Sequence, residues 1–588
     1  MDAYMDIKRT ALVWNVTERR VNELCKTGRI EGAYKKDGRW FIPSDAEKPA
    51  DKRYKISLPA LSTAARLLPL PIGITDFRKA STEYLYMDKT LLIRDLLDEK
   101  TQVSIFARPK RFGKTLNMDM IKTFFERCDK DTSIYFRDLS IWSAGEEYRQ
   151  QQGKYPVIFL SFKDANYDNW ADTRKEIEHQ IIGEFERHNI EKPVNFLKSL
   201  EYLSSKLDDI YHRAPIIIID EYDTPIMNSK IYGYYDEAAA YINQLYSGAF
   251  RDNRHLTFGF LSGILDLSDD VKSYTILDKK YSKYFGFTYE EIQRICSYYN
   301  KSEEYEKITR WYDGYPSGSE PVLNPWSVIN CVDEECAPRT FWPGNDTIIY
   351  DILSDAKQET VSGIEMLIQG RSFITHIDNK VMFPDVKGSP SAVYSYLLMS
   401  GYIKAVNKDR QYDGSYMCEV SVPNKEIMTA FSKDILRSLE YIIPKTMVIS
   451  VHEALFAKNQ EVLVMNIEDF LNRAAMLSDV SDDAPYHVAV LGLCAMLTNH
   501  YYFSFTKRST PGNYGIVMTP LEEKLPGIMI ELKSVRTVTS DDLESVAYAA
   551  IDQLLRMQYD PETKSRYTRQ IIKFGVAFNG KDARVIWE

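Results

Sequence analysis

The stretch Gln102-Val103-Ser104-Ile105-Phe106-Ala107, followed by Arg108-Pro109-Lys110-Arg111-Phe112-Gly113-Lys114-Thr115, decides the fold. The first six residues read as a short apolar strand. Leu116 to Arg127 then places Leu116, Met120, Ile121 and Phe124 on one face of a helix. Strand, Gly-Lys-Thr loop and helix in direct succession are the context a phosphate-binding loop requires. Backbone N–H groups and the positive helix end hold phosphate oxygens there. Lys114 is placed to reach the β- and γ-phosphates, and the Thr115 hydroxyl to ligate Mg2+. The usual motif begins with glycine, whereas Arg108 holds that place here, so the loop alone carries little weight.

A second element supports it. Ile216-Ile217-Ile218-Ile219-Asp220-Glu221 reads as a fully buried strand ending in two carboxylates, the Walker B form. Asp220 would hold Mg2+ through water, and Glu221 would orient or deprotonate the attacking water. The bland alternative is a strand end that happens to be acidic. Further strands at Pro156–Ser161 and Leu256–Ser262 suit a nucleotide-binding α/β core, with ATP and Mg2+ as expected ligands. Ser262 is either a γ-phosphate sensor at a central strand end or a simple turn residue.

Near the C-terminus, Pro526 to Lys533 reads as a buried strand with Glu531 and Lys533 two apart, hence on one face. A carboxylate beside a lysine in this way can bind a divalent metal (Glu531) and position or activate a hydrolytic water (Lys533). The alternative is a strand-surface ion pair. Upstream, Tyr486–Leu497 reads as a helix with Asp483, a candidate metal ligand, and His487 near its start. Downstream, Gln553 falls in a helix, and Ile571–Phe578 with Arg584–Trp587 suggests a final strand pair.

The N-terminal 55 residues hold 13 Lys and Arg against 9 Asp and Glu. Ile7–Trp14 reads as a helix, Asn15-Val16 as a turn, and Thr17 as the N-cap of a second helix, Glu18–Lys26. Arg19, Arg20 and Asn22 would face outward. Tyr34 to Pro43 reads as a hairpin around Asp37-Gly38 and presents Lys35, Lys36 and Arg39. Helix, turn, helix and wing is a DNA-reading layout. The alternative is a small cap that docks on the rest of the chain. So small a reader would need further contacts or a dimer, and a homo-oligomer is the expectation that follows.

Composition sets the outer limits. The chain has 588 residues, 44% hydrophobic and 27% charged, which is globular and long enough for several cores. The net charge of −10 argues against coating nucleic acid by bulk charge, so any such contact must be local. The seven cysteines are scattered, with no C-x-x-C pair, and read as reduced thiols of a cytoplasmic protein. Met1 to Thr10 has no signal-peptide pattern, and the longest apolar run, Val488–Leu497, is too short to span a membrane.

The winged segment around Asn15–Val21, Gly28-Arg29-Ile30 and the hairpin resembles excisionase and MerR-type domains. Pro71-Ile72-Gly73-Ile74-Thr75-Asp76-Phe77, Tyr86-Met87-Asp88-Lys89-Thr90, the Arg108–Thr115 loop, Asp220-Glu221-Tyr222-Asp223, Tyr281-Ser282-Lys283-Tyr284-Phe285-Gly286-Phe287, Trp311-Tyr312-Asp313-Gly314-Tyr315 and Asn324-Pro325-Trp326-Ser327 together resemble bacterial AAA-ATPase-like proteins. Those proteins typically carry a C-terminal PD-(D/E)XK nuclease-like domain. The resemblance implies that the Arg-rich loop is a family trait, with Arg108, Lys110, Arg111, Phe112 and Gly113 joining Lys114 and Thr115 around the phosphates. Two departures stand out. The family's Arg shortly after Ser262-Gly263-Ile264-Leu265 is replaced by Asp266. In the nuclease-like part, Gly-Arg-x-Asp is replaced by Gly512-Asn513-Tyr514-Gly515, and the usual Glu by Asp483.

The expectation is an α/β multidomain chain. It comprises a winged helix-turn-helix (1–50), a linker (51–70), a P-loop NTPase core (71–289), a mainly helical lid or connector with a few strand-like runs (290–445) and a restriction-endonuclease-like α/β domain (446–588). Its function would be ATP binding and hydrolysis coupled to DNA processing or defence, with nuclease activity weak or absent. The alternative is a nucleotide-gated DNA-binding regulator with a vestigial nuclease fold.

Overall fold

The computed structural model describes residues 4–13, 21–22, 25–26, 30, 32–36, 39–43, 46, 67–251, 253–265, 271–316, 321–342, 358–368, 370–378, 389–438, 444–457, 459, 461–462, 464–466, 469, 501–506, 513–520, 526–535, 540–556, 571–578 and 583–588.

At the N-terminus, β1 (Tyr4–Met5), β2 (Tyr34–Lys36) and β3 (Arg39–Pro43) form an antiparallel sheet in the order β1-β3-β2. Tyr34 pairs with Phe41 and Lys36 with Arg39, the antiparallel pairing of a hairpin, while Asp37 and Gly38 lie outside the described residues. Helix Ile7–Val13 supplies Ala11 to a small core with Val21, Cys25, Ile30 and Ile42. Most of the expected second helix, including Arg19 and Arg20, lies outside the described residues.

The central unit is a parallel sheet of β4 (Val103–Ala107), β5 (Val157–Ser161), β6 (Ile216–Asp220), β7 (Phe258–Gly263) and β8 (Lys272–Tyr274), in the order β5-β6-β7-β4-β8. Whereas the edge strand β8 begins with exposed Lys272, strands β4 to β7 are largely buried on both faces, which explains their near-continuous apolar runs. The pleat divides them between two cores. Ile217 and Ile219 face helices 170–187, 199–211 and 235–250, while Ile216 and Ile218 face helices 91–99 and 114–125. The chain leaves β4 towards one edge and later returns past it to β8 on the other. Such a reversal opens a crevice at the carboxyl ends of the strands.

Residues on both sides of the expected boundary at 289/290 share one core, in which Leu70, Leu85 and Met87 meet Ile292, Ile295 and Val328. The described residues of the connector are mainly helical, with three strands among the helices. Between helices 358–368, 390–400 and 425–438 it carries an antiparallel sheet of β9 (Phe373–Ile377), β10 (Lys404–Arg410) and β11 (Tyr416–Ser421), in the order β10-β11-β9. Ile377, Ala405, Cys418 and Val420 point into its core, and Ile374, Asn407 and Asp409 are exposed.

The C-terminal sheet runs β12 (Tyr501–Thr506), β13 (Asn513–Pro520), β14 (Gly527–Ser534), β15 (Ile571–Phe578), β16 (Ala583–Trp587) in spatial order. Only the β14–β15 pair is parallel. Helix 540–556 lies across β14 to β16, so close at Gly575 that a Cβ there would meet the Ala547 carbonyl at 2.3 Å.

Six cysteines, all but Cys494, are described and are free thiols. No helix among the described residues is long and apolar enough to cross a membrane.

Candidate nucleotide site and nuclease-like site

The expected phosphate loop leaves the carboxyl end of β4 and enters helix Lys114–Phe125 through Gly113, whose φ of 79° suits glycine. Arg111 is also left-handed (φ 69°), so the loop curls tightly at its tip. Lys114 is buried, and its ammonium donates to the Arg108 and Pro109 carbonyls, both at 2.8 Å. Burial pushes the Lys114 pKa down, against the upward pull of Glu221, Asp223 and Asp220.

Sheet register brings the remaining groups to this loop. Asp220 on β6 lies level with Ser262 on β7, and Ser262 lies level with Phe106 on β4. The Thr115 hydroxyl donates to Asp220 Oδ2 at 2.7 Å, and the Ser262 hydroxyl donates to Asp220 Oδ1. Asp220 is thus a buried carboxylate held by two hydroxyls. Thr115, Asp220 and Ser262 offer clustered hard oxygen donors, the donor set Mg2+ takes, so these residues fit the cation expected with ATP. When bound, Mg2+ would neutralise phosphate charge.

Glu221 follows in the left-handed region (φ 51°), an uncommon conformation for a non-glycine residue and a mark of a constrained site. Burial, then the charge of Asp220, pushes its carboxyl pKa up. The segment after it is tied back to β7. The Tyr222 N–H donates to the Ser262 carbonyl at 3.1 Å, and the Tyr222 hydroxyl donates to the Leu265 carbonyl. Asp223 accepts from the Ile264 and Leu265 N–H groups at 2.7 and 2.9 Å. Gly263 is obligatory beside this clamp, since a Cβ there would fall 2.6 Å from Asp223 Oδ1. Sequence reasoning gave Tyr222 and Asp223 no role. The signal available was a third acid, three residues beyond Asp220.

Three expected phosphate-loop residues are placed differently. Arg108 turns its side chain inward, to 2% exposure. There it donates to the Ala107 carbonyl at 3.0 Å and the Tyr274 carbonyl at 2.5 Å, above the Phe285 ring. Burial lowers its pKa to about 10. Its role here is to fasten the start of the loop to β8, because the side chain leaves β4 into the sheet rather than towards the loop opening. Arg111 stacks on Trp326 at 4.3 Å, and the Phe112 side chain is buried in the connector core. Lys110 is exposed at the loop tip.

Two motifs without an assigned role prove to be braces. Asp88 holds the Thr90 and Ser140 N–H groups at 2.8 and 2.7 Å. Lys89 is buried against Glu291 at 2.6 Å, while Glu291 completes the capping box of helix Tyr289–Tyr298. In the Trp311–Tyr315 motif, Asp313 accepts from Tyr289 at 2.7 Å, and Tyr312 donates to the Arg339 carbonyl at 2.9 Å.

The nuclease-like site is sparser. Glu531 is fully buried on β14. Its register neighbours are Gly515 on β13 and Gly575 on β15, so neither adjacent strand sets a side chain beside it. Lys533, partly buried on the same face, lies level with Asn513 and Ala577. Gln553 lies partly buried in the helix that crosses this sheet. Asp483 and His487 are outside the described residues. Among the described residues no group of three or more His, Cys, Asp or Glu could hold a metal ion. A hard cation needs several oxygen ligands, so the described donor set does not fit one.

Of the expected DNA contacts, Lys35 and Lys36 are exposed on β2, Asn22 is partly buried, and Arg39 lies on β3.

Comparison with known proteins agrees with this division. Residues 71–271 match the family model of a predicted AAA-ATPase, and residues 482–588 match the PD-(D/E)XK nuclease superfamily. A curated relative from Azotobacter chroococcum mcd 1, an uncharacterized protein in the vnfD 5' region, is 24% identical over 313 residues. That match covers 50% of this chain and 57% of the relative, so the chain spans little more than half of the relative's length. The chain therefore carries an AAA-ATPase-like domain followed by a C-terminal domain of the PD-(D/E)XK nuclease superfamily.

Proposed function

We propose that this chain binds and hydrolyses MgATP and uses the nucleotide state to control a DNA-directed assembly. The observation that carries the reading is the cluster of Lys114 and Thr115 at the start of a helix with Asp220 and Ser262 at the ends of adjacent strands, Glu221 following Asp220. In this reading Lys114 binds phosphate, Thr115 and Asp220 hold Mg2+, Glu221 orients the attacking water, and Ser262 senses the γ-phosphate. The N-terminal module reads DNA through its exposed basic hairpin and second helix. A homo-oligomer would raise the affinity of so small a reader. DNA processing or defence against foreign DNA is the biological setting that a nuclease-superfamily partner suggests.

A second reading is supported by Gly515 opposite Glu531. Here the C-terminal domain is vestigial and the protein is a nucleotide-gated DNA-binding regulator. ATP turnover with and without duplex DNA, in wild type and Lys114→Ala, separates the two. DNA-stimulated turnover lost in the variant supports the first, and ATP binding without turnover supports the second.

A further inference from the structure

The phosphate loop is clasped from outside the parallel-sheet unit. Tyr315 packs its ring edge against Phe112, with centroids 5.3 Å apart, and both side chains are 1% exposed. Its hydroxyl donates to the Gly401 carbonyl at 2.5 Å. Gly401 ends helix Pro390–Ser400 with φ 91° and abuts Pro109 so closely that a Cβ would fall 2.8 Å from the proline Cβ. Pro109, Gly401, Tyr315 and Phe112 therefore form a closed ring that leaves the loop and returns to it. Pro109 and Arg108 supply the two carbonyls that hold the Lys114 ammonium. A phosphate that draws Lys114 to itself must release those carbonyls, and Pro109 cannot shift without pressing on Gly401.

We infer that Tyr315 and Gly401 are positioning residues of the nucleotide site. They hold Pro109 and Phe112, and through them set Lys114 against Asp220. The inference rests on the reading of residues 108–115 as a nucleotide loop. By reciprocity, nucleotide binding biases the connector as strongly as the connector biases nucleotide binding.

The test measures MgATP affinity of the full chain at a temperature where every variant is folded. Tyr315→Phe keeps the ring on Phe112 and removes only the hydrogen bond to Gly401. It should weaken ATP binding about fivefold, the worth of one net hydrogen bond. Tyr315→Ala should weaken it further, and Gly401→Ala, which forces a methyl onto Pro109, about tenfold or more. A purely structural role would lower the unfolding midpoint and leave the affinity of the folded protein unchanged. Trp326 reports independently, because Arg111 stacks on it. Added ATP should change tryptophan emission in wild type, and the change should vanish in Trp326→Phe. Wild-type affinity in folded Tyr315→Phe and Tyr315→Ala overturns the inference, even if Gly401→Ala fails to fold. No ATP binding by wild type overturns the nucleotide reading itself, and the inference with it.

Discussion

Replacing Gly515 with aspartate should recreate a two-carboxylate metal site. Gly515 and Glu531 face each other directly across β13 and β14. Directly opposed residues hold their Cβ atoms about 4.5–5.5 Å apart. Carboxylates at that separation can both reach one cation at oxygen–metal distances of about 2.0–2.6 Å. Position 515 lies within a strand and is absent from the left-handed residues, so aspartate fits its backbone. Without metal, two like charges about 5 Å apart at an effective dielectric near 20 repel by about 3 kcal/mol. Apo Gly515→Asp should be less stable than wild type by about that amount. A cation at a hundred times its Kd returns about 2.7 kcal/mol, roughly 10 °C in the unfolding midpoint of a domain this size. Thermal unfolding with and without Mn2+ is therefore the assay, with nicking of supercoiled DNA as the functional readout. Gly515→Asp should gain both a Mn2+-dependent midpoint and nicking that Glu531→Ala removes. The reasoning is refuted if Mn2+ raises the wild-type midpoint as much as the variant's. It is equally refuted if wild type cleaves DNA and Glu531→Ala abolishes the cleavage.

Glu426, 1% exposed, accepts from the Phe341 and Trp342 N–H groups at 2.7 and 2.9 Å, and burial pushes its pKa from 4.5 to about 7. The unfolded state ionises first, so this group costs stability as pH rises from 4.5 through 7, by about 3 kcal/mol in all. Urea unfolding at pH 5 and pH 8 should show a pH-dependent loss in wild type that is smaller in Glu426→Gln. Lys89→Met removes the ion partner of the partly buried Glu291 carboxylate, which keeps the Thr288 N–H, and should cost about 1–3 kcal/mol, read by the same method, while ATP affinity of the folded variant stays at the wild-type value.

The parts of the site that lie close in sequence were legible because each carries its own pattern. Ile216 to Asp220 could only be a buried strand, and an acidic pair at its end falls at the open side of a parallel sheet. The family resemblance placed Gly515 where an aspartate is usual, and the β13–β14 register sets it opposite Glu531. The connector sheet was legible only as a few strand-like runs and could not be located, since β10 buries only Ala405, and a register shift between Ala405 and Asn407 breaks its alternation. Arg108 misled for a different reason. A cation beside a phosphate loop is expected to face the phosphate, and only the three-dimensional position of the Tyr274 carbonyl shows why it turns inward. Tyr315 and Gly401 are 86 residues apart, and Lys89 and Glu291 are 202 apart. No local pattern couples positions so distant, and sequence alone could list these motifs without joining them.

Glu221→Gln gives the most direct test of the hydrolytic site. The substitution keeps the size and the left-handed turn but removes the carboxylate that would orient the attacking water. Equilibrium binding and single-turnover hydrolysis of MgATP should be measured on the same sample. The variant should bind ATP within a few-fold of wild type and hydrolyse it about 100-fold or more slowly, the range of general-base contributions. Hydrolysis at the wild-type rate with intact binding would contradict the assignment of Glu221 and of the site built around it.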